Sequence, residues 1–469
     1  MKKRYSMKKV SAIIFFLILV LIILLLPSLF RYMQEKPVFF DSVYYDLRVA
    51  EAIRENGFVV FDDLQERRFD INLFHYVLSL FSNNNLVIQI FGLFLGIITI
   101  IFYWQLLTFF EVDFDSSFFS ILIFILSPIF IYLFAVLRSS SFSIPLMLIS
   151  LILFFKGRRV LSSLPLLFIS LFNIPHFIIT VFLMLVFSHV KKNYSKILIP
   201  IIISSVSLII AVFAFSYNPI IIFLKNSFEN VFTSFGAMIG IPVFVLFLSV
   251  IGLIFLWNKK REFLFLSLTF VLFLLLSFFS KSIMIVFNFF MCFFAGFAFN
   301  FFMKRKWAVV LVRKFTILLI FCSIIFSTLV YIDVLSESQP SKGLFNAFIF
   351  LKEQNFNEDL VFTHESYGFF VEYFSSKETF IDEKSRFLND YAVLDNFTQQ
   401  IFYSKDLDKT NLLLLEKNIR FILITPEMKE GLVWKKPDAG LLFLLENSDS
   451  FSKIYNLDGV EIWVHPKQI

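Results

Sequence analysis

The sequence predicts a polytopic α-helical membrane protein with a C-terminal extracytoplasmic α/β domain. Of the 469 residues, 58% are hydrophobic and only 17% are charged, proportions that lie well outside those of soluble globular proteins. Apolar runs of about 20 residues, long enough to cross a bilayer, recur through roughly the first 335 positions. Beyond them the composition becomes that of an ordinary globular domain. We therefore predict a transmembrane domain over 1–334 and a second domain over 335–469.

The distribution of Lys and Arg predicts the topology. Basic clusters occur at 2–9, 156–159, 191–196, 259–261 and 304–314. Because such clusters stay in the cytoplasm, the chain must cross the membrane an even number of times between consecutive clusters. This parity predicts about eleven membrane segments, near 11–30, 86–109, 117–137, 141–155, 196–215, 241–257, 262–280, 283–302 and 315–333, together with a broken pair over 160–188. The pair is interrupted at Asn173–His176.

The same topology predicts where the two ends of the chain lie. The first apolar run is too long for a signal peptide and lacks a small-residue cleavage pattern, so we interpret it as a retained helix. We expect a multi-pass protein of the plasma membrane with a cytoplasmic N-terminus, a first external loop at 31–85 and an external C-terminal domain. No nucleic-acid partner is expected.

Patterns within 335–469 predict an α/β fold. In PSKGLFNAFIFLKEQNF, apolar residues at helical spacing follow a Pro-Ser start, which predicts a helix. EDLVFTHE and NIRFILIT are typical of strands, and FSKIYNLDGVEIWVH contains two alternating runs joined at Asp458–Gly459, the pattern of a hairpin. Strands interleaved with helices favour a small α/β domain with its own core.

A charged segment, DSVYYDLRVAEAIRENG, follows the first apolar run at residues 41–57. Its apolar residues recur at helical spacing, which predicts an amphipathic helix from Ser42 to Asn56. Asp41 stands at the N-cap position and Gly57 just past the C-terminal end. Two interpretations are open: a helix on the membrane surface, with its tyrosines at the headgroups, or an acidic site that activates a nucleophile or binds a divalent cation.

This segment resembles the first external loop of membrane glycosyltransferases of the GT-C class, closest to the archaeal members related to the oligosaccharyltransferase catalytic subunit. Their loop reads approximately D-x-Y-Y-H-x-R. The matching residues are Asp41, Tyr44, Tyr45 and Arg48, and Asp46 stands in the place of the histidine. The layout is similar along the whole chain, with a multi-helix region, a large first external loop and an external α/β domain.

The resemblance implies a role for Asp41 at the reaction centre, beside a lipid-linked sugar phosphate. Asp41 is expected to act as a base or as a metal ligand together with Asp46, while direct displacement inverts the anomeric carbon. Arg48 is expected either to bind the phosphate or to pair with Glu51 one turn along the helix. Dependence on a divalent cation, Mg²⁺ or Mn²⁺, is left open because hard cations need several oxygen ligands.

Further residues of the predicted site lie outside this segment. INLFHYVLSLF resembles the segment that follows in these enzymes and has His75 at the position of their histidine. LRSSSFSIPLML corresponds to a second acidic motif, of which Arg138 and Ser139 remain without a carboxylate. The donor side of the predicted site therefore comprises Tyr44, Tyr45, Asp46, Arg48, His75 and Arg138.

The acceptor side is expected at the start of the α/β domain. THESYGFFVEYF stands where the family has W-W-D-Y-G, and only Tyr367-Gly368 keep the end of that motif. His364, Glu365 and Tyr367 are the predicted acceptor-side residues. The replaced residues predict an acceptor other than a glycosylation sequon, or no transfer at all.

Two further polar features, His176 and an acidic group at 111–115, can be interpreted either as structural or as functional. His176, beside the predicted helix break, either faces a cavity or is satisfied inside the bundle. Glu111, Asp113 and Asp115 form an acidic group that the topology places in the cytoplasm, away from Asp41.

Three function classes remain. The first is a glycosyltransferase that moves a sugar from a polyprenyl-phosphate or dolichyl-phosphate donor to a protein, lipid or glycan acceptor on the external face. The second is a degenerate, non-catalytic relative that acts as a scaffold, since two motifs are altered. The third is a lipid-carrier flippase or transporter, in which a broken helix pair is common.

Overall fold

The structure is a computed structural model that describes residues 2–39, 43–57, 61–81, 84–190, 200–203, 205–206, 208–209, 232–233, 240–257, 260–354, 360–388, 390–436 and 439–465. The chain divides into two compact units. The helical unit comprises Met1–Phe30 and Asp70–Glu337, and the α/β unit comprises Arg31–Phe69 and Ser338–Ile469. We predicted that residues 31–85 form a loop of the transmembrane domain. In the structure this segment is divided between the two units. Its residues up to Phe69 group with the C-terminal domain because their side chains pack there.

Helices dominate the described residues, and strands are confined to the α/β unit. The α-helices are α1 (Lys2–Met33), α2 (Val43–Asn56), α3 (Leu73–Ser79), α4 (Asn85–Phe109), α5 (Phe114–Ile125), α6 (Pro128–Ala135), α7 (Ser139–Phe155), α8 (Arg159–Phe172), α9 (Ile174–Val190), α10 (Val243–Leu256), α11 (Lys260–Leu276), α12 (Lys281–Lys304), α13 (Val310–Glu337), α14 (Lys342–Glu353), α15 (Gly368–Ser375), α16 (Tyr391–Tyr403), α17 (Leu407–Glu416) and α18 (Leu441–Asn447). The strands are β1 (Phe61–Asp62), β2 (Arg67–Arg68), β3 (Leu360–Phe362), β4 (Ile419–Ile424), β5 (Ser452–Leu457) and β6 (Val460–Val464).

Several helices have the length and composition of membrane spans. Within the described ranges, four stretches qualify: the Val10–Met33 part of α1, α4, α12, and Val310–Glu353, which contains α13 and α14. The count rises to five if α5 and α6, which are bent by 60° at their break, form one span. Helices α7 to α11 are apolar but shorter. The helical unit is that of a membrane protein, while the number of about eleven segments remains a prediction.

The predicted helix break is present. Helix α8 ends at Phe172 and α9 begins at Ile174, so the interruption falls at Asn173. The Asn173 side chain accepts a hydrogen bond from the backbone N–H of His176 (3.1 Å), which caps the start of α9. Most of the crossing predicted at 196–215 lies outside the described residues.

Helices α5 and α12 pack antiparallel through small and polar residues. The Asn300 amide donates to the Asp113 carboxylate (3.0 Å), and further along the Ser120 hydroxyl lies 3.3 Å from the Phe293 carbonyl oxygen. Gly296 is so close to Ser120 that an added Cβ would stand 2.1 Å from the hydroxyl oxygen. Small residues permit such close helix contacts inside membranes. The two helices are therefore held in one register by these residues.

The acidic group before α5 has a structural role. Asp113 accepts a hydrogen bond from the Ser116 backbone N–H (3.2 Å) and so caps α5. The Lys304 ammonium lies 2.7 Å from Asp115 and 3.6 Å from Asp113. These acids and Lys304, a member of the basic cluster at 304–314, therefore lie at the same end of the bundle. The cytoplasmic location of this end remains a prediction.

The α/β unit contains a four-stranded sheet in the order β3–β4–β6–β5. Strands β3 and β4 are parallel, whereas β6 is antiparallel to both of its neighbours. The β5–β6 hairpin turns at Asp458 and Gly459, whose φ angles of 50° and 78° belong to the left-handed region that such turns require. Ser341 caps α14 by accepting from the Leu344 N–H (3.3 Å). The helix, strands and hairpin predicted here are all present.

Helix α2 packs its apolar face against α15 within the α/β unit. The Tyr44 ring centroid lies 4.7 Å from that of Phe374 and 5.4 Å from that of Phe370, and Tyr45 lies 5.0 Å from Phe369. Aromatic pairs at these distances add to the stabilisation from burial. The face is covered by protein, so it is not the membrane-surface face that one interpretation of the sequence expected.

Candidate active site

Helix α2 carries four of the six predicted donor-side residues: Tyr44, Tyr45, Asp46 and Arg48. Its C-terminal end is closed by Gly57 (φ 76°), whose N–H donates to the Ile53 carbonyl (2.8 Å). Asp46 is half-buried in the first helical turn, where a carboxylate interacts favourably with the helix dipole. Asp41, the predicted base and N-cap, lies outside the described residues, so both roles remain predictions.

The two tyrosines of the motif are packed inside the α/β unit. Tyr44 is 2% exposed and Tyr45 is 5% exposed. The Tyr44 hydroxyl donates to the Phe39 carbonyl (2.7 Å), and burial raises the pKa of this phenol well above its usual range. In this arrangement the tyrosines position α2. Their predicted contact with the lipid-linked sugar donor is untested.

Arg48 is held by two acidic residues that the sequence did not single out. Its guanidinium forms ion pairs with Asp62 on β1 and with Glu372 on α15, and it lies 5.6 Å from the centroid of the Phe69 ring. Glu51, the partner that one interpretation gave to Arg48, instead accepts a hydrogen bond from the Tyr373 hydroxyl (3.2 Å). The alternative role of Arg48 as a phosphate ligand remains a prediction.

A second arginine completes a buried ion cluster. Arg67 on β2 donates to both carboxylate oxygens of Asp382, with one of the distances being 2.8 Å. We call Arg48, Asp62, Arg67, Glu372 and Asp382 the ion cluster. Its three acidic residues are at most 2% exposed. The cluster joins the first external loop to the C-terminal part of the α/β unit.

Burial raises the pKa of two carboxyl groups in this cluster. Desolvation and the neighbouring Asp382 raise the pKa of Glu372 to about 8, although Arg48 and Arg67 act in the opposite direction. Desolvation also raises the pKa of Asp62 from its ordinary value. Both carboxyl groups that share Arg48 therefore hold a proton more tightly than a solvated acid does.

The predicted residues His75 and Arg138 belong to the helical unit. The Asn72 backbone N–H donates to His75 Nδ1 (3.1 Å), and the two residues form a capping box at the start of α3. The Arg138 guanidinium lies 4.1 Å from the centroid of the Tyr132 ring, an attractive cation–π distance. Both side chains thus have structural partners, and their predicted contacts with the lipid-linked sugar donor are untested.

The predicted acceptor-side residues lie just after β3. His364 Nδ1 is 2.5 Å from the Ser366 hydroxyl, and burial lowers the pKa of this histidine. Glu365 accepts hydrogen bonds at 2.9 and 3.0 Å from Nε of Arg386. The carboxylate is therefore already paired with a surface arginine.

Tyr367 is the most enclosed of the acceptor-side residues. Its hydroxyl donates to a Glu427 carboxylate oxygen (3.1 Å) and accepts from the Thr425 hydroxyl (3.0 Å). Burial raises the pKa of the phenol. These bonds tie the predicted acceptor segment to the end of β4, and a contact of Tyr367 with an acceptor remains a prediction.

A metal site is not formed by the described residues. Among them, no group of three or more His, Cys, Asp or Glu side chains is arranged to hold a metal ion. Of the predicted pair of ligands, Asp46 is described and Asp41 is not. A divalent cation bound here would need further oxygens from water or phosphate, as such ions prefer six or more oxygen ligands.

Only one of the two ring nitrogens of His176 has a hydrogen-bond partner among the described residues. Its Nδ1 lies 2.7 Å from the Ser143 hydroxyl on α7, while its Nε2 is buried with no hydrogen-bond partner among the described residues. The ring links the starts of α7 and α9. The expectation that it is satisfied inside the bundle therefore holds for one of its two nitrogens.

An apolar cavity of about 370 Å³ lies between α1 and α4. It is lined by Ile13, Phe16, Leu17, Ile97, Ile100, Ile101, Trp104 and Gln105. Such a lining suits a hydrocarbon chain better than a sugar or a phosphate. The predicted topology places this cavity toward the cytoplasmic end of α4, so it differs from a lipid groove at the first external loop.

Comparison with solved structures defines the class of the fold. The oligosaccharyltransferase AglB of Archaeoglobus fulgidus, in complex with an inhibitory peptide and a dolichol-phosphate, aligns with a TM-score of 0.60 at 10% identity, over 97% of this chain and 74% of that chain. A structure of the A. fulgidus oligosaccharyltransferase with Zn and sulfate aligns with a TM-score of 0.60 at 12% identity, over 95% and 73%.

A further solved structure aligns over nearly its full length. ArnT from Cupriavidus metallidurans, bound to undecaprenyl phosphate, gives a TM-score of 0.56 at 10% identity, over 96% of this chain and 97% of that chain. No protein-family model and no curated protein sequence matches the chain. The protein therefore has the fold of GT-C glycosyltransferases, which confirms the fold implied by the sequence resemblance.

Proposed function

We propose that this protein is an integral-membrane glycosyltransferase that transfers a sugar from a polyprenyl-phosphate carrier to an acceptor on the extracytoplasmic face. The observation that carries the proposal is the fold. It matches along almost the whole chain two kinds of enzyme whose structures contain a dolichol-phosphate or undecaprenyl phosphate. The loop motif at residues 41–48 supports the same reaction class.

In the proposed reaction, an acceptor hydroxyl or amide attacks the anomeric carbon of the donor sugar. The bond between that carbon and the phosphate oxygen breaks, and its electron pair leaves with the polyprenyl phosphate. Asp41 takes the acceptor proton, and such general-base assistance is worth roughly 10²–10⁴ in rate. Asp41 and Asp46 are also the proposed ligands of a divalent cation, which would supply positive charge beside the leaving phosphate.

The α/β unit is proposed to present the acceptor through His364, Glu365 and Tyr367. Each of these side chains is held by a neighbour in the described residues, so the segment is preformed, with His364 and Glu365 partly exposed and Tyr367 buried. Because Glu365 is paired with Arg386, an acceptor that uses this carboxylate must compete with a guanidinium. An acceptor with a hydroxyl or ammonium donor fits this requirement better than an acidic one.

A reconstituted assay tests the proposal. Purified protein in proteoliposomes is supplied with synthetic polyprenyl phosphates that carry a radiolabelled hexose or pentose, and with a cell-envelope extract as the acceptor mixture. Transfer of label from these donors, with none from the matching nucleotide sugars, is expected.

The other function classes give different outcomes in the same assay. Movement of the intact lipid-linked sugar across the bilayer, without transfer, supports a flippase. Neither activity, combined with loss of another enzyme's function when the protein is removed, supports a scaffold, which the missing carboxylate after Arg138 makes the second candidate.

A further inference from the structure

The ion cluster contains more acidic than basic groups. Three carboxyl groups face two guanidinium groups, and the acidic side chains are at most 2% exposed. A fully ionised cluster would therefore carry one uncompensated negative charge inside the α/β unit. Such a charge is strongly unfavourable in a protein interior. A buried carboxyl group in this situation retains its proton instead.

The geometry shows which acids compete for that proton. Asp382 receives two hydrogen bonds from Arg67 and one from the Ser385 backbone N–H (2.8 Å), so its ionised form is well satisfied. Arg48, by contrast, is divided between Asp62 and Glu372. One carboxylate oxygen of Asp62, Oδ2, is buried with no hydrogen-bond partner among the described residues. Asp62 Oδ1 does accept from the Leu64 and Gln65 backbone N–H groups (3.1 and 3.3 Å), but a single guanidinium group serves both carboxyl groups of this pair. The pair that shares Arg48 is therefore the under-compensated part of the cluster.

Groups facing Glu372 come from three elements. Those that act on the Glu372 carboxyl group are Arg48 from α2, Arg67 from the β1–β2 hairpin, and Thr379 and Asp382 from the segment after α15. Asp62, which shares Arg48 with Glu372, also interacts with Arg67 and with Glu378 of that segment. The Thr379 hydroxyl donates to Glu372 Oε1 (2.7 Å), and the Gln65 side chain donates to the Thr379 carbonyl (3.1 Å). The raised pKa values of Glu372 and Asp62 agree with the charge count.

We propose that the ion cluster binds one proton at neutral pH, shared by Glu372 and Asp62, and that this proton determines how firmly α2 is held in the α/β unit. Glu372 and Asp62 are thereby positioning residues, acting through Arg48 on the helix that follows Asp41. The consequence for catalysis rests on the proposed function, whereas the proton and its effect on α2 do not.

The sign of the pH dependence follows from the direction of the shift. Glu372 has an ordinary pKa of 4.5 and a pKa of about 8 in the folded unit, so local opening of the cluster releases a proton between these values. The opening equilibrium therefore rises by up to about tenfold per pH unit across this interval and levels off above it. Helix α2 is held most firmly in acid and least firmly above about pH 8.

Hydrogen–deuterium exchange of the intact protein in nanodiscs tests this inference. The backbone amides of residues 43–57 are followed from pH 5.5 to 9, with correction for the intrinsic exchange rate. We expect opening of α2 to increase by at least about tenfold between pH 5.5 and 7.5 and to level off above about pH 8. Glu372→Gln, which keeps the shape of the protonated acid, should flatten the profile to within about twofold.

Glu416→Gln on α17 is the matched control, because Glu416 is 61% exposed and pairs only with its neighbour Lys417 in the described residues. It should follow the wild-type profile. A wild-type profile that is flat from pH 5.5 to 8 overturns the inference, and so does an unchanged slope in both Glu372→Gln and Asp62→Asn. The wild-type profile decides the matter by itself if a variant does not fold.

The exchange experiment tests the bound proton and the transfer assay tests the proposed function. Either experiment can give a negative result while the other gives a positive one. If sugar transfer occurs, its kcat should fall over the same pH interval in the wild type and remain level in Glu372→Gln, with the donor KM unchanged. If no transfer occurs at any pH, the exchange profile still tests the bound proton. If the profile is flat while transfer proceeds, only the present inference is lost.

Discussion

Arg48 on α2 and Glu372 on α15 form a buried ion pair across 324 positions of sequence. The pair joins residues 31–69 to the C-terminal part of the α/β unit. Arg48 matches the loop motif of the glycosyltransferases, yet its observed partners are carboxylates. The arginine therefore holds the helix that follows Asp41.

Removal of Arg48 should destabilise the α/β unit. Arg48→Ala leaves Asp62 and Glu372 buried without their shared cation, and loss of one partner of a buried ion pair costs about 3–5 kcal/mol. A lower unfolding temperature in a thermal melt of the purified protein is expected. Arg54→Ala, which changes an exposed arginine of the same helix, should alter stability by less than about 1 kcal/mol. Equal effects of the two substitutions would show that the pair contributes nothing.

Replacement of Gly296 should disturb the helical unit. Gly296→Ala places a methyl group 2.1 Å from the Ser120 hydroxyl oxygen and 2.5 Å from its backbone nitrogen, so α5 and α12 must separate. Overpacking of this kind costs about 1–3 kcal/mol. Thermal unfolding in detergent measures the loss, with Leu318→Ala, a change at a side chain that is 55% exposed, as the control. Wild-type stability of Gly296→Ala would mean that the two helices do not touch at this point.

The buried His364 should make the α/β unit sensitive to acid. Burial lowers the pKa of His364 below its ordinary value of 6.5, so the unfolded chain binds the proton first and stability falls as the pH drops below 6.5. His364→Asn removes the titrating group and keeps an oxygen that can cap the Ser366 N–H. Unfolding temperatures at pH 7.5 and 5 should differ less in this variant than in the wild type. An equal difference in both proteins would assign the acid sensitivity to other groups.

Local features of the α/β unit were predictable because neighbouring residues determine them. The amphipathic pattern of residues 42–56 and the glycine at position 57 predict α2 and its end, and both are present. The Asp458–Gly459 turn likewise predicts the β5–β6 hairpin, since only a few residue types adopt positive φ. For such elements the local sequence is sufficient to predict the structure.

The ion cluster was not predictable in the same way. Asp62 and Arg67 occur in FDDLQERRF, a polar run that is typical of an exposed loop. Glu372 occurs in FFVEYF, where a single acid within an apolar helix was the only available signal. Their pairing depends on packing between segments separated by about 300 positions. Long-range packing of this kind has no local pattern that a single sequence displays.

The proposed catalytic role of Asp41 is tested most directly by the initial rate of sugar transfer in the Asp41→Asn variant. The rate is measured with a polyprenyl phosphate-linked labelled sugar in proteoliposomes, alongside Asp63→Asn, which changes an exposed acid of the same external loop. The account predicts a loss of about 10²-fold or more for Asp41→Asn and a wild-type rate for Asp63→Asn. Full transfer activity in Asp41→Asn would contradict it.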